Sequence, residues 1–528
     1  SKRDGFFTDP TTGSKFNDDN VFVGRLKLGL KASDTLELIF SADLMEIDVA
    51  VAAGRQEDDL FNLDVVLGPS LVLPAPTTDF NGIVGVSIAP ENGQSNTHYG
   101  FSLTADWQVS ETLSFKSISA HRHMNPVQWL DADGTNILVA DVLATWVHKQ
   151  FSEELQVHLQ QDTWDLVMGG FLMTEESIGV QETFLSDYLL AGGASLGFSR
   201  PGNDKQNVEN IAFFGHANVQ LSDKLGASFG ARWSKDTKRF SRVSETAFGG
   251  VVTETFTFNE KDSWTAFTPS FSLQYDISEN SMLFARVARG FRSGGFNGRL
   301  FSNADSQNFD PEFVWSYEAG FKGSSSDRRI RYGINTFYND YTNFQARIAI
   351  AVDSTDPAAG FNFPTVNAAK LEIYGAEFDI SAEFKALTMW ANIGLLNSSY
   401  KEFSDDTGDK TDQDPIRSPD VTLSAGFSYT WPLSNNGKIQ LSAETKYISS
   451  YYTSVDNSEN LFEDGYALLN TMIKWSAASN GLYIKSGVRN LFDATYHIDA
   501  FEFRTLGNVQ TAFYGDPRTW YASIGFTF

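Results

Sequence analysis

Apolar and polar residues alternate with a period of two along almost the whole chain of 528 residues. The pattern is clearest at 20–31, at 35–44 and at 518–528, where Trp520, Ile524 and Phe526 share one parity. Successive side chains of a β-strand point to opposite faces, so this period indicates strands with one apolar face. No stretch of comparable quality shows the 3.6-residue period of an amphipathic helix. The sequence therefore predicts an all-β, antiparallel fold.

The connections between the strand segments alternate between short and long. Short polar connections lie at 32–35, 109–112, 222–224, 278–280, 324–327, 434–437 and 478–481. Long connections lie near 49–96, 125–142, 180–207, 293–312, 346–368, 404–417, 453–463 and 493–516. An antiparallel sheet built in this way carries every long loop at the same end. A transmembrane β-barrel of the outer membrane has this arrangement, with tight periplasmic turns and long extracellular loops.

The composition is compatible with strands that cross a bilayer. Aromatic residues make up 14% of the chain and charged residues 20%. No apolar run reaches the ~20 residues that a membrane helix needs. The mean hydropathy of −0.25 does not exclude a membrane barrel, because only alternate residues of its strands face lipid. We expect interfacial girdles to include the aromatic residues near strand ends, namely Trp107, Trp164, Trp315, Trp431, Trp475, Tyr483 and Trp520.

The chain contains about 20 strand segments, of which the first is a stub at 2–7. Many segments exceed the ~9–11 residues needed to cross the hydrocarbon core, so we expect the strands to project beyond the membrane. In lipid every backbone N–H and C=O group at a sheet edge must be paired. A barrel meets this requirement, whereas an open sheet of this size does not.

Charge and cysteine content exclude several classes of function. The net charge of −26 and a pI near 4.6 argue against binding to nucleic acid, whose phosphates would repel such a chain. The absence of cysteine excludes disulfides, thiolate metal sites and cysteine nucleophiles. No composition shift or long linker divides the chain, so residues 1–528 are predicted to form one domain.

Several segments resemble the barrel of TonB-dependent outer-membrane receptors, in the order that this family shows. The most specific is FARVARGFRSGGFNGR at 284–299, and the resemblance extends over essentially the whole chain. The other matching segments are KRDGFF at 2–7, NDD at 17–19, GRLKL at 24–28, PE at 311–312, YEAGFK at 317–322, FYNDY at 337–341, NAAK at 367–370, YGAE at 374–377, VRNLFD at 488–493 and YGDPRT at 514–519.

The resemblance implies a nominal barrel of 22 strands, of which about 20 lie in this chain. Receptors of this family begin with a TonB box and a globular plug, and neither is found between Ser1 and the first hairpin. We therefore expect residues 1–528 to be an N-terminally truncated receptor barrel domain without its plug. The terminal Phe528 resembles the signal that the barrel-insertion machinery reads in this family.

The function that the resemblance implies is TonB-dependent active uptake of a scarce nutrient across the Gram-negative outer membrane. An iron–siderophore ligand is the default, because such ligands are common in the family, and the TonB complex would act through the missing plug. Two alternatives remain open: a passive porin-like channel, and a receptor for a saccharide or another organic nutrient. No enzymatic activity and no bound cofactor are expected.

Three residues near the end of one strand are candidates for ligand binding. Arg292, Asn297 and Arg299 lie where the strand runs into a long predicted outer loop. Arginine forks match carboxylates, so these residues could hold an anionic ligand. Alternatively they could order the turns of a glycine-rich loop. The sequence favours this structural role, although it does not exclude the binding role.

Three further patterns carry weaker predictions of chemistry. Residues 193–197 match G-x-S-x-G around Ser195, but no helix follows the match, as a nucleophile elbow requires. His121 and His123 share a strand face without a third metal ligand, so lumen-lining or interfacial roles are preferred. An acidic loop could hold calcium, although Lys410 interrupts it and a solvated loop is the simpler interpretation. The acidic residues are Asp405, Asp406, Asp409, Asp412 and Asp414.

Overall fold

A computed structural model describes most of the chain. The described residues are 2–8, 13–57, 93–132, 134, 140–185, 198–248, 250–298, 308–347, 350–351, 361–362, 364–405, 408–434, 437–478, 481–503 and 509–526. Within them the chain folds into β-strands and one single-turn 3-10 helix at Glu459–Leu461. No helix in these ranges is long and apolar enough to cross a membrane.

The strands are numbered in chain order. They are β1 (Lys2–Arg3), β2 (Phe7–Thr8), β3 (Lys15–Phe16), β4 (Asp19–Lys31), β5 (Leu36–Val49), β6 (Gly54–Gln56), β7 (Gln94–Ser110), β8 (Leu113–Asp131), β9 (Ala140–Gln160), β10 (Trp164–Leu185), β11 (Phe198–Ser222), β12 (Leu225–Phe248), β13 (Val251–Ser278), β14 (Ser281–Arg292), β15 (Glu312–Ser324), β16 (Ile330–Arg347), β17 (Ile350–Ala351), β18 (Phe361–Asn362), β19 (Thr365–Phe384), β20 (Leu387–Asp405), β21 (Gly408–Asp409), β22 (Val421–Pro432), β23 (Lys438–Tyr452), β24 (Phe462–Ser476), β25 (Leu482–Arg489), β26 (His497–Phe503), β27 (Val509–Tyr514) and β28 (Thr519–Phe526).

One antiparallel sheet of 21 strands contains all the long strands. Each long strand pairs with the next one along the chain, from β4 and β5 at one side to β25 and β28 at the other. The stub β1 pairs with β4. The prediction of an all-β antiparallel fold with about 20 strands, beginning with a stub, is confirmed.

The two sides of this sheet are brought together at the end that carries the long loops. Strand β6, which lies between β5 and β7 in the chain, pairs with β27, which lies between β25 and β28. Arg3 Nη1 also lies 2.5 Å from Asp516 Oδ2. The sheet therefore bends round until its first and last parts meet, as the wall of a barrel does.

The short connections lie where the sequence predicts them, but two long ones are shorter than predicted. Strand β8 continues to Asp131, and β10 continues to Leu185, inside the predicted loops 125–142 and 180–207. Strands β11, β12 and β13 reach 25, 24 and 28 residues. These lengths are more than twice the ~9–11 residues that a crossing needs. The strands stay paired beyond the membrane because their backbone N–H and C=O groups remain satisfied by each other there.

The two faces of the sheet differ in chemistry. On β12 and β13, the side chains of Phe229, Trp233 and Phe267 share one face and remain 51%, 40% and 52% exposed. The opposite face carries hydrogen-bonded polar groups, such as Asn218 Nδ2, which donates to Asp165 Oδ2 at 2.9 Å. An apolar face this extensive is stable where lipid covers it. We call it the outer face, and the polar one the inner face.

The apolar part of the outer face has a visible upper limit. On β12 the last large apolar residue before the charged ones is Trp233, followed on the same face by Lys235. On β11 the equivalent change comes between Ile211 and Glu209. We call the stretch below this limit the outer belt. It comprises residues 211–221 of β11, 225–233 of β12 and 267–275 of β13.

Most of the predicted girdle residues lie on the outer face. Trp107, Trp164 and Trp431 are 50%, 38% and 43% exposed near the short-turn ends of their strands. The prediction is wrong for Tyr483, whose ring lies on the inner face, 4.4 Å from Lys474 Nζ. The outward parity on β25 belongs instead to Ile484, which is 46% exposed.

Candidate ligand site at the long-loop end of the inner face

The candidate site is built around the segment 293–298, which follows β14. The even-numbered residues of β14 point to the inner face, because Ala288 pairs with Ser270 and Arg292 with Glu312. After Arg292 the strand ends and the segment folds back against the inner face of neighbouring strands. We call 293–298 the inner segment.

A cluster of aromatic rings holds the inner segment in place. Phe296 is 8% exposed and packs against the rings of Phe240, Phe258 and Trp264, with centroid separations of 6.2, 6.1 and 5.9 Å. Phe256 completes the cluster. Phe240 lies on β12, and the other three rings lie on β13, towards the long-loop end of these strands. The Phe296 ring therefore anchors the glycine-rich segment to both strands.

Two basic side chains of β12 bind carbonyl oxygens of the inner segment. Lys238 Nζ donates to Gly294 O at 2.6 Å. Arg242 Nη1 donates to Gly298 O at 2.9 Å and to both carboxylate oxygens of Asp204 at 2.8 Å. The Arg242 side chain is fully buried. Carbonyl groups left free by the irregular backbone are thereby satisfied.

Amide side chains complete the anchoring. Asn297 is buried, and its Oδ1 accepts a hydrogen bond of 2.7 Å from the backbone N–H of Thr365. Gln345 Nε2 donates to Ser293 O at 3.1 Å and to Asp310 O at 2.9 Å. The inner segment is thus tied to β12, β16 and β19 at once, which makes it a rigid part of the wall.

Burial changes the proton affinities of the ionisable groups that hold the inner segment, all of which lie above the outer belt. Burial raises the pKa of the Asp204 carboxyl above its ordinary value, although the charge and hydrogen bonds of Arg242 oppose this rise. Burial lowers the pKa of the Lys238 ammonium, with Asp236 opposing the change and the nearby Arg292 adding to it. Lys238, which binds the carbonyl oxygen of Gly294, thus lies near Arg292, two residues earlier in the chain.

The three predicted ligand residues are separated by the structure. The Arg292 side chain is exposed on the inner face, and within the described ranges no hydrogen bond or ion pair engages it. Asn297 is buried and committed to Thr365. Arg299 lies outside the described residues. Of the three candidates, Arg292 is the one that the structure describes as exposed on the inner face.

The histidine pair faces outward. His121 and His123 pair across the β7–β8 ladder with Phe101 and Tyr99, whose parity is that of the outer face. The His123 ring stacks on Tyr99 with a centroid separation of 4.8 Å. Between them, Arg122 points inward and binds Asp43 at 2.7 Å. This parity places the pair on the outer face and not in the lumen, and the interfacial role stays a prediction. The G-x-S-x-G match around Ser195 lies outside the described residues.

The acidic loop is held by contacts among its own residues and with the connection that follows β23. Lys410 is buried, 7% exposed, and its ammonium binds the Asp456 carboxylate. Asp409 accepts hydrogen bonds from the N–H of Thr411 at 2.9 Å and from its hydroxyl at 2.6 Å. These hydrogen bonds lower the pKa of Asp409. Asp406 and the side chain of Asp405 lie outside the described residues, and among the others no group of three potential ligands surrounds a metal position.

Sequence patterns did not reveal the residues that shape the site. Lys238, Phe240 and Arg242 lie within a single strand and some 50 positions from the inner segment, so no local motif joins them. One signal was available. The apolar residues of β12 lie at odd positions up to Trp233 and at an even position at Phe240. Between these two residues the outer face ceases to be apolar and the inner face becomes apolar.

Comparisons with known proteins agree with this architecture. The family model "TonB dependent receptor-like, beta-barrel" matches residues 53–491. The pesticin receptor of Yersinia pestis is 23% identical over 292 residues, which cover 55% of this chain and 40% of that protein. The chain thus matches less than half the length of this curated relative.

Two solved structures are similar over nearly the whole chain. The ferric yersiniabactin uptake receptor FyuA from Yersinia pestis superimposes with a TM-score of 0.78 at 18% identity, covering 99% of this chain and 73% of that one. The siderophore receptor PiuA from Acinetobacter baumannii gives a TM-score of 0.74 at 15% identity, with 96% and 74% covered. At these identities the likeness concerns the fold. The family normally resides in the outer membrane of Gram-negative bacteria, and its members are receptors and transporters. The match of the family model over most of its length shows that the chain belongs to the TonB-dependent receptor-like β-barrel family.

Proposed function

We propose that this chain forms the wall, inner face and outer loops of an outer-membrane receptor that takes up a scarce anionic nutrient, with a ferric siderophore as the first choice. The observation that carries the proposal is the exposed Arg292 on the inner face, in a chain of net charge −26. Lys238 lies near it, because its Nζ donates to the carbonyl oxygen of Gly294, two residues further on, at 2.6 Å. Guanidinium groups bind carboxylate-like oxygens through paired hydrogen bonds. Iron uptake is supported by the similarity to FyuA, a ferric yersiniabactin uptake receptor, and to PiuA, a siderophore receptor. The role is transport and not catalysis.

The coupling to energy is part of the same proposal. Residues 1–528 act as the receptor's barrel domain, and the TonB complex acts through a plug segment outside these residues. Phe528, which lies outside the described residues, is assigned to recognition by the barrel-insertion machinery. In this scheme the rigid inner segment shapes the upper lumen, and Arg292 contributes the attraction for the ligand.

Uptake of radiolabelled iron tests this function. The complete gene product is expressed in Gram-negative cells that lack their own ferric-chelate receptors, with TonB either present or deleted. A panel of ferric siderophores is offered at micromolar concentration, and radiolabelled saccharides are offered to the same cells in parallel. We expect TonB-dependent uptake of at least one chelate. Uptake that persists without TonB would favour the passive channel, and uptake of saccharides alone would favour the organic-nutrient receptor.

The variant Arg292→Ala examines the assigned residue. A hydrogen bond to a charged group contributes roughly 1.5–3 kcal/mol, so we expect the chelate to bind about 10- to 100-fold more weakly. Arg289→Ala is the matched control, because Arg289 lies on the same strand but on the outer face, over the Phe313 ring at 4.1 Å. Equal losses in both variants, or in neither, would remove Arg292 from the ligand site.

A further inference from the structure

One carboxylate lies among the apolar side chains of the outer face. The outward positions of β9 are odd-numbered, so Glu153 points the same way as Phe151 and Leu155, which are 46% and 58% exposed. Across the β9–β10 ladder Glu153 stands opposite Leu172, which is 43% exposed. Lys149, the next charged residue on this face of the strand, lies beyond Phe151. Glu153 therefore lies within the apolar band, where a charged group is costly.

Two serine hydroxyl groups hold this carboxylate in place. Ser117 Oγ donates to Glu153 Oε1 at 2.7 Å, and the Ser119 hydroxyl donates to Oε2. Ser119 is directly opposite Glu153 in the β8–β9 ladder, and Ser117 lies two residues nearer the short-turn end. The hydroxyl groups thus turn the carboxylate towards the middle of the membrane, whereas long charged side chains near a membrane surface usually turn towards water. The carboxylate is fixed at one depth in the wall.

Two other outward glutamates show how this chain accommodates such a group elsewhere. Glu372, on β19, forms an ion pair of 2.9 Å with Lys401. Glu209, on β11, is exposed above the outer belt. Glu153 lies among apolar side chains instead, and within the described ranges no ion pair engages it. A carboxylate in this position is stabilised by a hydrogen-bond donor that comes from outside the chain.

A donor that fits this requirement lies on the neighbouring strand of the same face. His121 is outward on β8 and stands opposite Phe151, two residues beyond the pair of Ser119 and Glu153. In the described part of the chain no side chain forms a hydrogen bond with the His121 imidazole. An imidazole keeps at least one N–H donor in either protonation state. This face therefore carries an acceptor and a donor, and it is complementary to a copy of itself.

The tilt of the strands brings the acceptor and the donor to nearly the same depth. Val219 stands opposite Trp164, the first residue of β10, although β11 continues beyond Val219 to Ser222 at the short-turn end. Each ladder step to the next strand therefore rises towards the long-loop end. With strands about 4.8 Å apart and tilted by about 40°, His121 lies only roughly 2 Å above Glu153 in the membrane. The same geometry places Phe151 between them in the membrane plane.

The charges around this face do not oppose contact with a second copy. Lys149, beyond Phe151 on β9, stands opposite Glu176 in the β9–β10 ladder. His123 stacks on the Tyr99 ring with a centroid separation of 4.8 Å. Cations and anions are thus paired across strands here, although the whole chain has a net charge of −26.

We propose that this face binds a second copy of the chain within the membrane, about a two-fold axis parallel to the membrane normal. Rotation about an axis near Phe151 sets Glu153 of each copy against His121 of the other copy. The contact forms twice, as a two-fold interface requires, and the two Phe151 rings meet at the axis. Charge complementarity selects this occupant, because the chain itself presents the required donor at the required depth. The association does not depend on the ligand that the lumen binds.

Dimerisation in vesicles tests the proposal. The complete gene product is reconstituted in phosphatidylcholine vesicles and labelled at Glu279→Cys, in the short turn after β13. Energy transfer between donor-labelled and acceptor-labelled copies, over a range of protein-to-lipid ratios, gives the dissociation constant of the dimer. The test variants are Glu153→Leu and His121→Leu. The matched control is Glu372→Leu, because this outward glutamate lies on a distant strand and is paired with Lys401.

The expected result is a dimer that depends on both residues. Each polar contact in a membrane contributes roughly a tenfold factor in affinity, and each test variant loses both contacts, so each should associate about 100-fold more weakly than the unmodified chain. The control should stay within about threefold of the unmodified chain. A mixed dimer of Glu153→Leu with His121→Leu keeps one of the two contacts, so it should be about tenfold tighter than the dimer of either variant.

Four results would overturn the assignment. A monomer at every protein-to-lipid ratio would remove the interface, and equal weakening of the control would assign the effect to any change of an outward glutamate. A mixed dimer no tighter than the single-variant dimers would show that Glu153 and His121 do not meet. Association with a different membrane protein that requires Glu153 would assign the face to that partner. Migration of the unheated variants on gels checks folding, and Glu153→Met and His121→Phe, which nearly conserve volume, replace a variant that fails it.

Discussion

Removing the Phe296 ring should release the inner segment from the wall. The ring is 8% exposed and contacts three aromatic rings at 5.9–6.2 Å. Truncation of a buried Phe to Ala costs roughly 3–5 kcal/mol. The segment can relax partly into the space, so we take the lower value for Phe296→Ala. A loss of about 3 kcal/mol corresponds to roughly a 100-fold change in the equilibrium between closed and open segment.

Hydrogen exchange measures this change where it occurs. The amides of Gly295 and Phe309 donate to each other's carbonyl oxygens at 3.0 Å, so both lose protection when the segment opens. We expect the exchange of these two amides to accelerate about 100-fold. If the closed segment is stable by less than about 3 kcal/mol, the amides should lose their protection completely. Phe213→Ala is the control, because Phe213 is 61% exposed on the outer face. Exchange within threefold of the unmodified protein would refute the assignment of Phe296 as the anchor.

Three further predictions concern the loops and one strand. Because the buried Lys410 already supplies the cation in the acidic loop, millimolar calcium should leave hydrogen exchange there unchanged; protection that saturates below one millimolar would contradict this. Burial and the Glu57 carboxylate raise the pKa of Tyr514, so the β6–β26–β27 sheet should keep its full stability below pH ~10 and lose it as the pH rises further; limited proteolysis between pH 8 and pH 12 measures this, and resistance that is constant or increases would contradict it. Gly465 has a φ of 90°, so Gly465→Ala should cost roughly 1–3 kcal/mol in urea unfolding, whereas Gly29→Ala, with open space around it, should cost less than half as much.

The alternation of apolar and polar side chains was enough to predict the fold, because successive residues of a spanning strand face lipid and the lumen in turn. Residues such as Phe229 and Phe271 have no other stable environment in this architecture. Short turns were predicted for the same reason, since serine, asparagine and charged residues gather where the strands leave the membrane. The number of strands then followed from the number of alternating segments.

The candidate site could be predicted only in part. Arg292 was found because it ends a strand, and the structure leaves it exposed on the inner face. The sequence offered a structural role or a binding role for Asn297, and its bond to Thr365 supports the structural one. The sequence did not identify Phe240 and Trp264 as residues of the buried aromatic cluster. An aromatic residue in a long alternating strand is assigned to the lipid-facing side if the outer belt is assumed to extend along the whole strand. The parity of Phe240 and Trp264 opposes that of Trp233 and Phe267, and this change is the signal for other members of the fold.

The orientation of β13 gives the most direct test of the account. The chain contains no cysteine, so single cysteines can be introduced at each position from 266 to 275 and labelled with a fluorophore without background. In bilayers that contain brominated lipids, probes at 267, 269, 271, 273 and 275 should be strongly quenched, and probes at the even positions between them should not. Quenching of equal strength at odd and even positions would contradict the claim that this chain is a barrel wall with one face in lipid.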